Sequence, residues 1–194
     1  MSRPGLSAIV LAGGRSSRFG RDKLAEPIGG RPLLHHAIDA VRPYATEVLV
    51  VVAPDAAPAV PPGVVLVRDA APFKGPLAGL LAGLGAARED VALVIGGDMP
   101  ELAPAVVGLL LADLDRDTVN AVILEHAGRG RPLPMALRRQ PALAMSARLM
   151  AAGERRLGAL GDALVATIVA EETWLALDPA RRTVHDIDTP DDLP

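Results

Sequence analysis

Four short aliphatic runs in the first half of the chain constrain the fold more than any other feature. Residues 7–12 (SAIVLA), 47–53 (EVLVVVA), 64–67 (VVLV) and 91–95 (VALVI) are rich in Val, Ile and Leu and scarcely alternate with polar residues. Runs of that length without a polar face read as strands buried on both sides, as in a parallel sheet. The stretches between them hold helical candidates at 32–41, 76–88 and 101–114, the last opening on Glu101 just after Pro100. This alternation predicts an α/β fold, with a mainly parallel central sheet and helices on both faces. Further on, 119–124, 134–137 and 164–169 read as strands, and 141–152 and 156–160 as helices. The proline-rich stretch 54–62 (PDAAPAVPP) reads as a surface connection, and neither a repeat nor a linker interrupts the pattern. One domain over residues 1–194 is expected, since domains run about 100–200 residues.

Composition narrows the function classes. Half of the residues are hydrophobic, yet alanine (34) and leucine (28) dominate, and the aromatics are only Phe19, Tyr44, Phe73 and Trp174. The core must therefore be closely packed small aliphatics, and a ring sandwich around a planar ligand is not expected. The absence of cysteine excludes disulfides, thiolate metal sites and a cysteine nucleophile. A net charge of −3, divided as −1 and −2 on either side of residue 114, argues against nucleic-acid and membrane-surface binding. No apolar run approaches the roughly 18 residues of a membrane helix. Arg3 and the apolar residues 6–12 make a poor signal peptide, because a glycine- and arginine-rich loop follows them. The expectation is a soluble cytoplasmic protein. Eighteen of the twenty basic residues are arginine, so Lys23 and Lys74 are the only lysines.

Chemistry gathers after the first run, in Leu11-Ala12-Gly13-Gly14-Arg15-Ser16-Ser17-Arg18-Phe19-Gly20-Arg21-Asp22-Lys23. Open parallel sheets bind ligands beyond the carboxyl ends of their strands, where this loop falls. Gly13 and Gly14 lack Cβ atoms, so their N–H groups can come close to a phosphate. Arg15, Arg18, Arg21 and Lys23 place four cations within nine residues, opposed only by Asp22. In an acidic protein that local charge suits a triphosphate, with arginine as a planar fork and lysine as a compact charge. The order matches neither G-x-x-x-x-G-K-[ST] nor G-x-G-x-x-G, and a solvated basic loop turned by its glycines has the same composition. Asp98 follows the run 91–95 and two glycines, at another carboxyl end. A carboxylate there can hold Mg²⁺ together with phosphate oxygens and water; alone it also reads as a turn residue. Arg129 and Arg131 read equally as a grip on a second substrate's phosphate or as solvated loop residues. His35 and His36 fall in a helix, His126 and His185 lack metal-site spacing, and Ser16 and Ser17 have no adjacent histidine base. Thr189-Pro190 has the form of a helix start.

As a string, the loop resembles the L-A-G-G-x-S-x-R-x-G-x-D-K signature of the molybdenum cofactor guanylyltransferases, nucleotidyltransferases with a Rossmann-like fold, at all nine fixed positions. The resemblance continues in order through 27–32 (PIGGRP), Arg68-Asp69, 75–79 (GPLAG), Gly97-Asp98-Met99-Pro100, 131–137 (RPLPMAL) and 186–193 (DIDTPDDL), spanning nearly the whole chain. It implies that Leu11, Ala12, Gly13 and Gly14 line the nucleotide and that Arg18 and Lys23 neutralise its phosphates. It also implies that Asp98 binds Mg²⁺ and contacts the nucleotide, and that Asp69 recognises guanine, whose N1 and N2 donors suit a carboxylate. Asp186 and Asp188 match positions that in the family help hold the pterin, and as aspartates they read equally as groups that approach the metal or fix the loop. Three departures stand out: Phe19 where methionine is common, Ala53 where an asparagine often touches the nucleotide, and aspartates where Asp186 and Asp188 often have asparagine counterparts. No family role attaches to Lys74.

The function these expectations describe is Mg²⁺-dependent transfer of GMP from GTP to a molybdopterin-type cofactor, with pyrophosphate leaving. A cytidylyltransferase for the same pterin is the nearest alternative, although such relatives usually carry A-A-G where this chain has Ala12-Gly13-Gly14. Another small-molecule nucleotidyltransferase and a non-catalytic nucleotide-binding module are the others. GTP and a molybdopterin-type substrate are the expected ligands, and a protein that delivers or accepts the cofactor is compatible with them.

Overall fold

The computed structural model describes residues 5–13, 22–69, 75–116, 118–187, 189 and 192. The first strand, β1 (Leu6–Leu11), is followed by a 3-10 turn at Lys23–Ala25 and by two short paired strands, β2 (Pro27–Ile28) and β3 (Arg31–Pro32). Then come α1 (Leu33–Val41), β4 (Glu47–Val52), β5 (Val64–Arg68), α2 (Pro76–Ala86) and β6 (Val91–Gly96). The second half contributes α3 (Pro104–Leu114), β7 (Ala121–His126), β8 (Arg129–Arg138), α4 (Arg139–Ala151), α5 (Gly158–Ala163), β9 (Ala166–Val169) and α6 (Glu171–Leu175). Among the described residues seven strands form one sheet, ordered β5-β4-β1-β6-β8-β7-β9. Only β8 runs against its neighbours, so the sheet is mainly parallel, as the alternation predicts.

Strand periodicity divides the core between the two faces. Ala8 and Val10 of β1, Val48, Val50 and Val52 of β4, and Leu93 and Ile95 of β6 point to one face. There they meet Leu34, Ala37, Ile38 and Val41 of α1 and Val106, Val107 and Leu110 of α3. Ile9, Leu49, Val51, Ala92 and Val94 point to the other, against Leu77, Leu80 and Leu84 of α2 and Ala142 of α4. The small-residue composition has a direct use here. A Cβ on Gly83 of α2 would stand 2.7 Å from Ile9 Cγ2 and 3.0 Å from Val51 Cγ2, so α2 lies as close to the sheet as a bare backbone allows.

Several boundaries differ from the sequence reading. β5 is not buried on both faces: it is the sheet edge, and Val65 and Arg68 are exposed. The third long helix begins at Pro104 rather than 101, because proline suits the first helical position and Ala103 N–H is taken by the Thr183 hydroxyl at 3.0 Å. The strand expected at 134–137 extends to ten residues, and α4 starts directly after it. α5 forms at Gly158–Ala163 rather than 156–160, since Arg155 and Arg156 are tied to Glu154 ahead of it. The short α6 was not anticipated. Trp174 buries itself there, and its indole N–H donates to the Glu125 carbonyl at 2.7 Å. Residues 54–62 form an irregular connection, as expected. Among the described residues no helix is long and apolar enough to cross a membrane.

Candidate active site

The parallel ladder runs one residue beyond each strand, which fixes where the loops begin. Asp69 N–H donates to the Val52 carbonyl at 2.9 Å, Ala12 N–H to Val51 at 2.7 Å, and Gly97 N–H to Leu11 at 2.9 Å. Asp69, Ala12 and Gly97 therefore stand along a single edge of the sheet, beyond the carboxyl ends of β5, β1 and β6. Neighbouring strands lie about 4.8 Å apart, so this edge spans about 14 Å from β5 to β6.

Lys23 opens the 3-10 turn, which Asp22 caps by accepting from Leu24 N–H at 3.1 Å. Leu24 packs with Leu33, Ile28 and the buried Ile187, anchoring the turn beside the sheet. From that anchor the Lys23 ammonium donates to Asp98 Oδ2 at 2.7 Å and to the Ile187 carbonyl at 3.1 Å. Ile187 N–H in turn donates to the Asp98 carbonyl at 3.0 Å. Three segments far apart in sequence thus close on one another: the first loop, the turn after β6 and the C-terminal segment. The lysine and aspartate side chains are 16% and 26% exposed, so the pair is partly withdrawn from water while one side stays accessible. Gly96 makes room for the carboxylate, since a Cβ there would overlap Asp98 Oδ1.

Gly13 differs in what it leaves open. Its φ is not in the left-handed region, and a Cβ on it would meet only Ala53 N at 3.8 Å and Val52 C at 3.9 Å, ordinary van der Waals distances. Nothing in the packing of the described residues demands glycine at this exposed position. Its bare backbone is instead available to something that approaches from outside the fold. Ala53 backs this position, where the resemblance would put an asparagine side chain.

The other expected residues divide into three groups. Leu11 ends β1, Ala12 follows it, and Asp69 stands half-buried two strands away at the end of β5. Gly14, Arg18, Asp188, Lys74 and the serines 16 and 17 lie outside the described residues. Asp186 is held by Arg131, with Nη2 and Oδ2 2.5 Å apart, an engagement that neither reading of Arg131 foresaw; Arg129 is exposed at the start of β8. His35 and His36 serve as ties, their Nε2 atoms donating to the Ala59 and Ile28 carbonyls, each at 2.9 Å. His126 stands 3.4 Å from Glu171, and His185 is exposed. Sequence reasoning missed Ile187, whose role lies in its main chain and therefore leaves no residue-type signal.

A cation and a carboxylate joined at the ends of adjacent strands, next to an open glycine backbone, form an arrangement able to receive a phosphate chain and its counter-ion. Known proteins resemble this chain over most of its length. Residues 8–167 match the MobA-like NTP transferase domain. A probable molybdenum cofactor guanylyltransferase of Chloroflexus aggregans is 39% identical over 193 residues, 97% of this chain and 91% of the relative. The molybdenum cofactor guanylyltransferase of Burkholderia ambifaria is 35% identical over 167 residues, 80% of this chain and 81% of the relative. Among solved structures, molybdopterin-guanine dinucleotide biosynthesis protein A from Archaeoglobus fulgidus superposes with a TM-score of 0.78 at 22% identity, covering 96% of this chain and 94% of that one. A 2-C-methyl-D-erythritol 4-phosphate cytidylyltransferase from Thermus thermophilus does so with a TM-score of 0.69 at 21% identity, covering 95% and 94%. At these identities the two structures show a shared fold alone.

Proposed function

The chain belongs to the MobA-like NTP transferase family and is a nucleotidyltransferase of molybdenum cofactor biosynthesis, and from that premise we propose that it transfers GMP from GTP to a molybdopterin-type cofactor. The observation that carries the reading is the Lys23–Asp98 contact, which joins the two most diagnostic motifs at the carboxyl edge of the sheet. The order of groups along that edge supports it. Asp69 stands at the β5 end and the charged pair at the β1–β6 end, about 14 Å apart by strand spacing, a separation that suits an extended nucleotide with its base at one end and its phosphates at the other.

In this reaction a terminal phosphate oxygen of the cofactor attacks the α-phosphorus of GTP. The bond from that phosphorus to the bridging oxygen of the β-phosphate breaks, and pyrophosphate leaves. The protein's part is to align two anions and to stabilise charge on the α-phosphoryl oxygens as attack proceeds. The Gly13 backbone, with Gly14, approaches the phosphates; Lys23 and Arg18 offset their charge; the Asp69 carboxylate accepts from the guanine N1 and N2 donors. On this reading Asp186 and Asp188 hold the pterin.

The donor set fits Mg²⁺ carried in with the nucleotide rather than a resident metal. Among the described residues no three His, Cys, Asp or Glu side chains gather to hold a metal. Mg²⁺ takes one or two carboxylates and completes its shell with phosphate oxygens and water, so Asp98 suffices on the protein side. Bound there, the ion would supply Lewis-acid stabilisation of phosphoryl charge.

The test is to offer GTP, CTP, ATP and UTP, each with and without Mg²⁺, together with a molybdopterin-type acceptor, and to measure pyrophosphate release and product mass. GTP-selective, Mg²⁺-dependent formation of a guanine dinucleotide is expected. Preference for CTP overturns the guanine assignment, and nucleotide binding without pyrophosphate release overturns the transfer.

A further inference from the structure

An arginine outside the Lys23–Asp98 pair is tied to it through two residues. Along β8, Arg131 faces Leu124 of β7 while Met135 faces the adjacent Ile123, so residues 132–134 bulge out of the ladder. Pairing between β6 and β8 stops at Val94–Met135, which places the bulge beside the end of β6 that leads to Asp98. Within it, Arg131 Nε donates to the Leu133 carbonyl at 2.8 Å, and Nη2 meets Asp186 Oδ2 at 2.5 Å. The two side chains are 21% and 30% exposed. The next residue, Ile187, is buried and supplies both main-chain contacts to the Lys23–Asp98 pair.

We propose that Arg131 is a positioning residue for nucleotidyl transfer, acting through Asp186 and Ile187 on Lys23 and Asp98; the proposal rests on the transfer reading above. A lysine ammonium sits on a flexible stem with three rotatable donors, so its direction is set by its acceptors. One acceptor here is the Ile187 carbonyl, and residues 185–187 belong to no helix or strand that would fix it. The segment is held by burial of Ile187 against Leu33 and by the grip of Arg131 on Asp186. The guanidinium also balances a carboxylate that otherwise faces incoming phosphates. Arginine suits both tasks, because its planar fork engages Leu133 and Asp186 together.

Arg131→Met keeps the aliphatic stem and removes the fork. Its kcat for pyrophosphate release is expected to fall about tenfold, in line with typical coupling through a contiguous contact network. Asp186→Asn alone is expected to lower kcat by a similar factor, and the double variant to fall no further than either single variant, because both cut the same tie. If Arg131 instead grips the acceptor's phosphate, the acceptor KM rises in Arg131→Met and the two single effects add in the double variant. If the role is only structural, Tm falls while kcat and KM stay put. Either result overturns the proposal. A second readout needs no substrate. With only Lys23 and Lys74 in the chain, an ε-¹³C-lysine spectrum contains two side-chain signals, which Lys74→Arg assigns. Arg131→Met is expected to shift the Lys23 signal, and an unmoved signal overturns the positioning role. A shifted signal in a protein that transfers no nucleotide would instead sink the transfer reading and leave the Arg131 link standing.

Discussion

The two halves of the sheet share their apolar cores but differ in the polar contacts added to them. On one side, β4, β1 and β6 are parallel, buried and packed by aliphatic side chains against α1, α2 and α3, with scarcely a polar atom between them. On the other, β7, β8 and β9 enter the same cores through Val122, Leu124, Met135, Leu137 and Val169, and with the segment after them they add directional contacts. Arg138 donates to the Leu114 and Val119 carbonyls, Glu125 accepts from Glu171 N–H, Glu171 meets Arg181 at 3.1 Å, and Asp178 accepts from Thr183 N–H at 2.8 Å. Lys23 and Asp98 stand on the packed half, while the residue that links them, Ile187, comes from the polar half. Close packing resists displacement in every direction, whereas hydrogen bonds and ion pairs set a geometry and can be re-tuned by charge. The contrast teaches that the reacting edge is fixed by one kind of force and trimmed by another.

The largest effect expected is on catalysis alone. Lys23→Ala is expected to slow kcat by at least a hundredfold, about 2.7–4 kcal/mol for loss of a transition-state charge partner. Thermal unfolding should change little, because the packed half beneath it is untouched; a large fall in Tm with unchanged kcat would mean that the pair serves the fold instead. Next comes an attack on the packing. Gly83→Ala puts a methyl within 2.7 Å of Ile9 Cγ2 and is expected to cost about 1–3 kcal/mol by overpacking, read from urea unfolding at any pH between 5 and 8.

On the polar half the sensitivity should be to pH. Burial pushes the Asp178 carboxyl up, but hydrogen bonds from Thr183 and Arg182 and the nearby guanidinium outweigh it and hold the group below its ordinary value. A depressed folded value means that the stabilisation is complete above the unfolded pKa of about 3.9 and is lost as pH falls through the folded one. Asp178→Asn is therefore expected to cost about 1.5–3 kcal/mol at neutral pH, with the gap to the parent narrowing below about pH 4. An equal gap at pH 7 and pH 3 would show that the charge is not what matters there. The smallest effect belongs to the exposed edge. Ile168 on β9 is 55% exposed, and Ile168→Thr is expected to shift stability by no more than about 0.5 kcal/mol. A larger loss would mean that this edge, too, is held by packing.

Legibility in the sequence follows the same division. The packed half was readable because burial on both faces leaves uninterrupted aliphatic runs, so β1, β4 and β6 fall within a residue of their expected ends. β5 shows the limit: Val64–Val67 has the composition of a central strand, yet nothing in composition says that a strand lies at an edge. The expected β8 is short because Gly130, Pro132 and Pro134 look like turn residues, while the ladder pairs Gly130 with Glu125 and takes the two prolines into a bulge. α6 is too brief to show a period, and Trp174 alone marks its buried face. At the site, residue types and order announced the glycine loop, Lys23 and Asp98. The approach of Lys23 to Asp98, 75 positions along the chain, and the main-chain contacts of Ile187 are products of tertiary geometry, and side-chain identity carries no trace of them.

The placement of Ile187 has a consequence for how the protein comes into being. Ribosomes release a chain from its amino end, and early segments begin to fold before later ones exist. The seven-stranded sheet has all its strands once Val169 has emerged, with Lys23 and Asp98 already present. The carbonyl that directs the lysine arrives 18 residues later. A nascent chain can thus possess the whole sheet while its ammonium group still lacks that guide, and translation has to pass residue 187 before the reacting edge takes its final form.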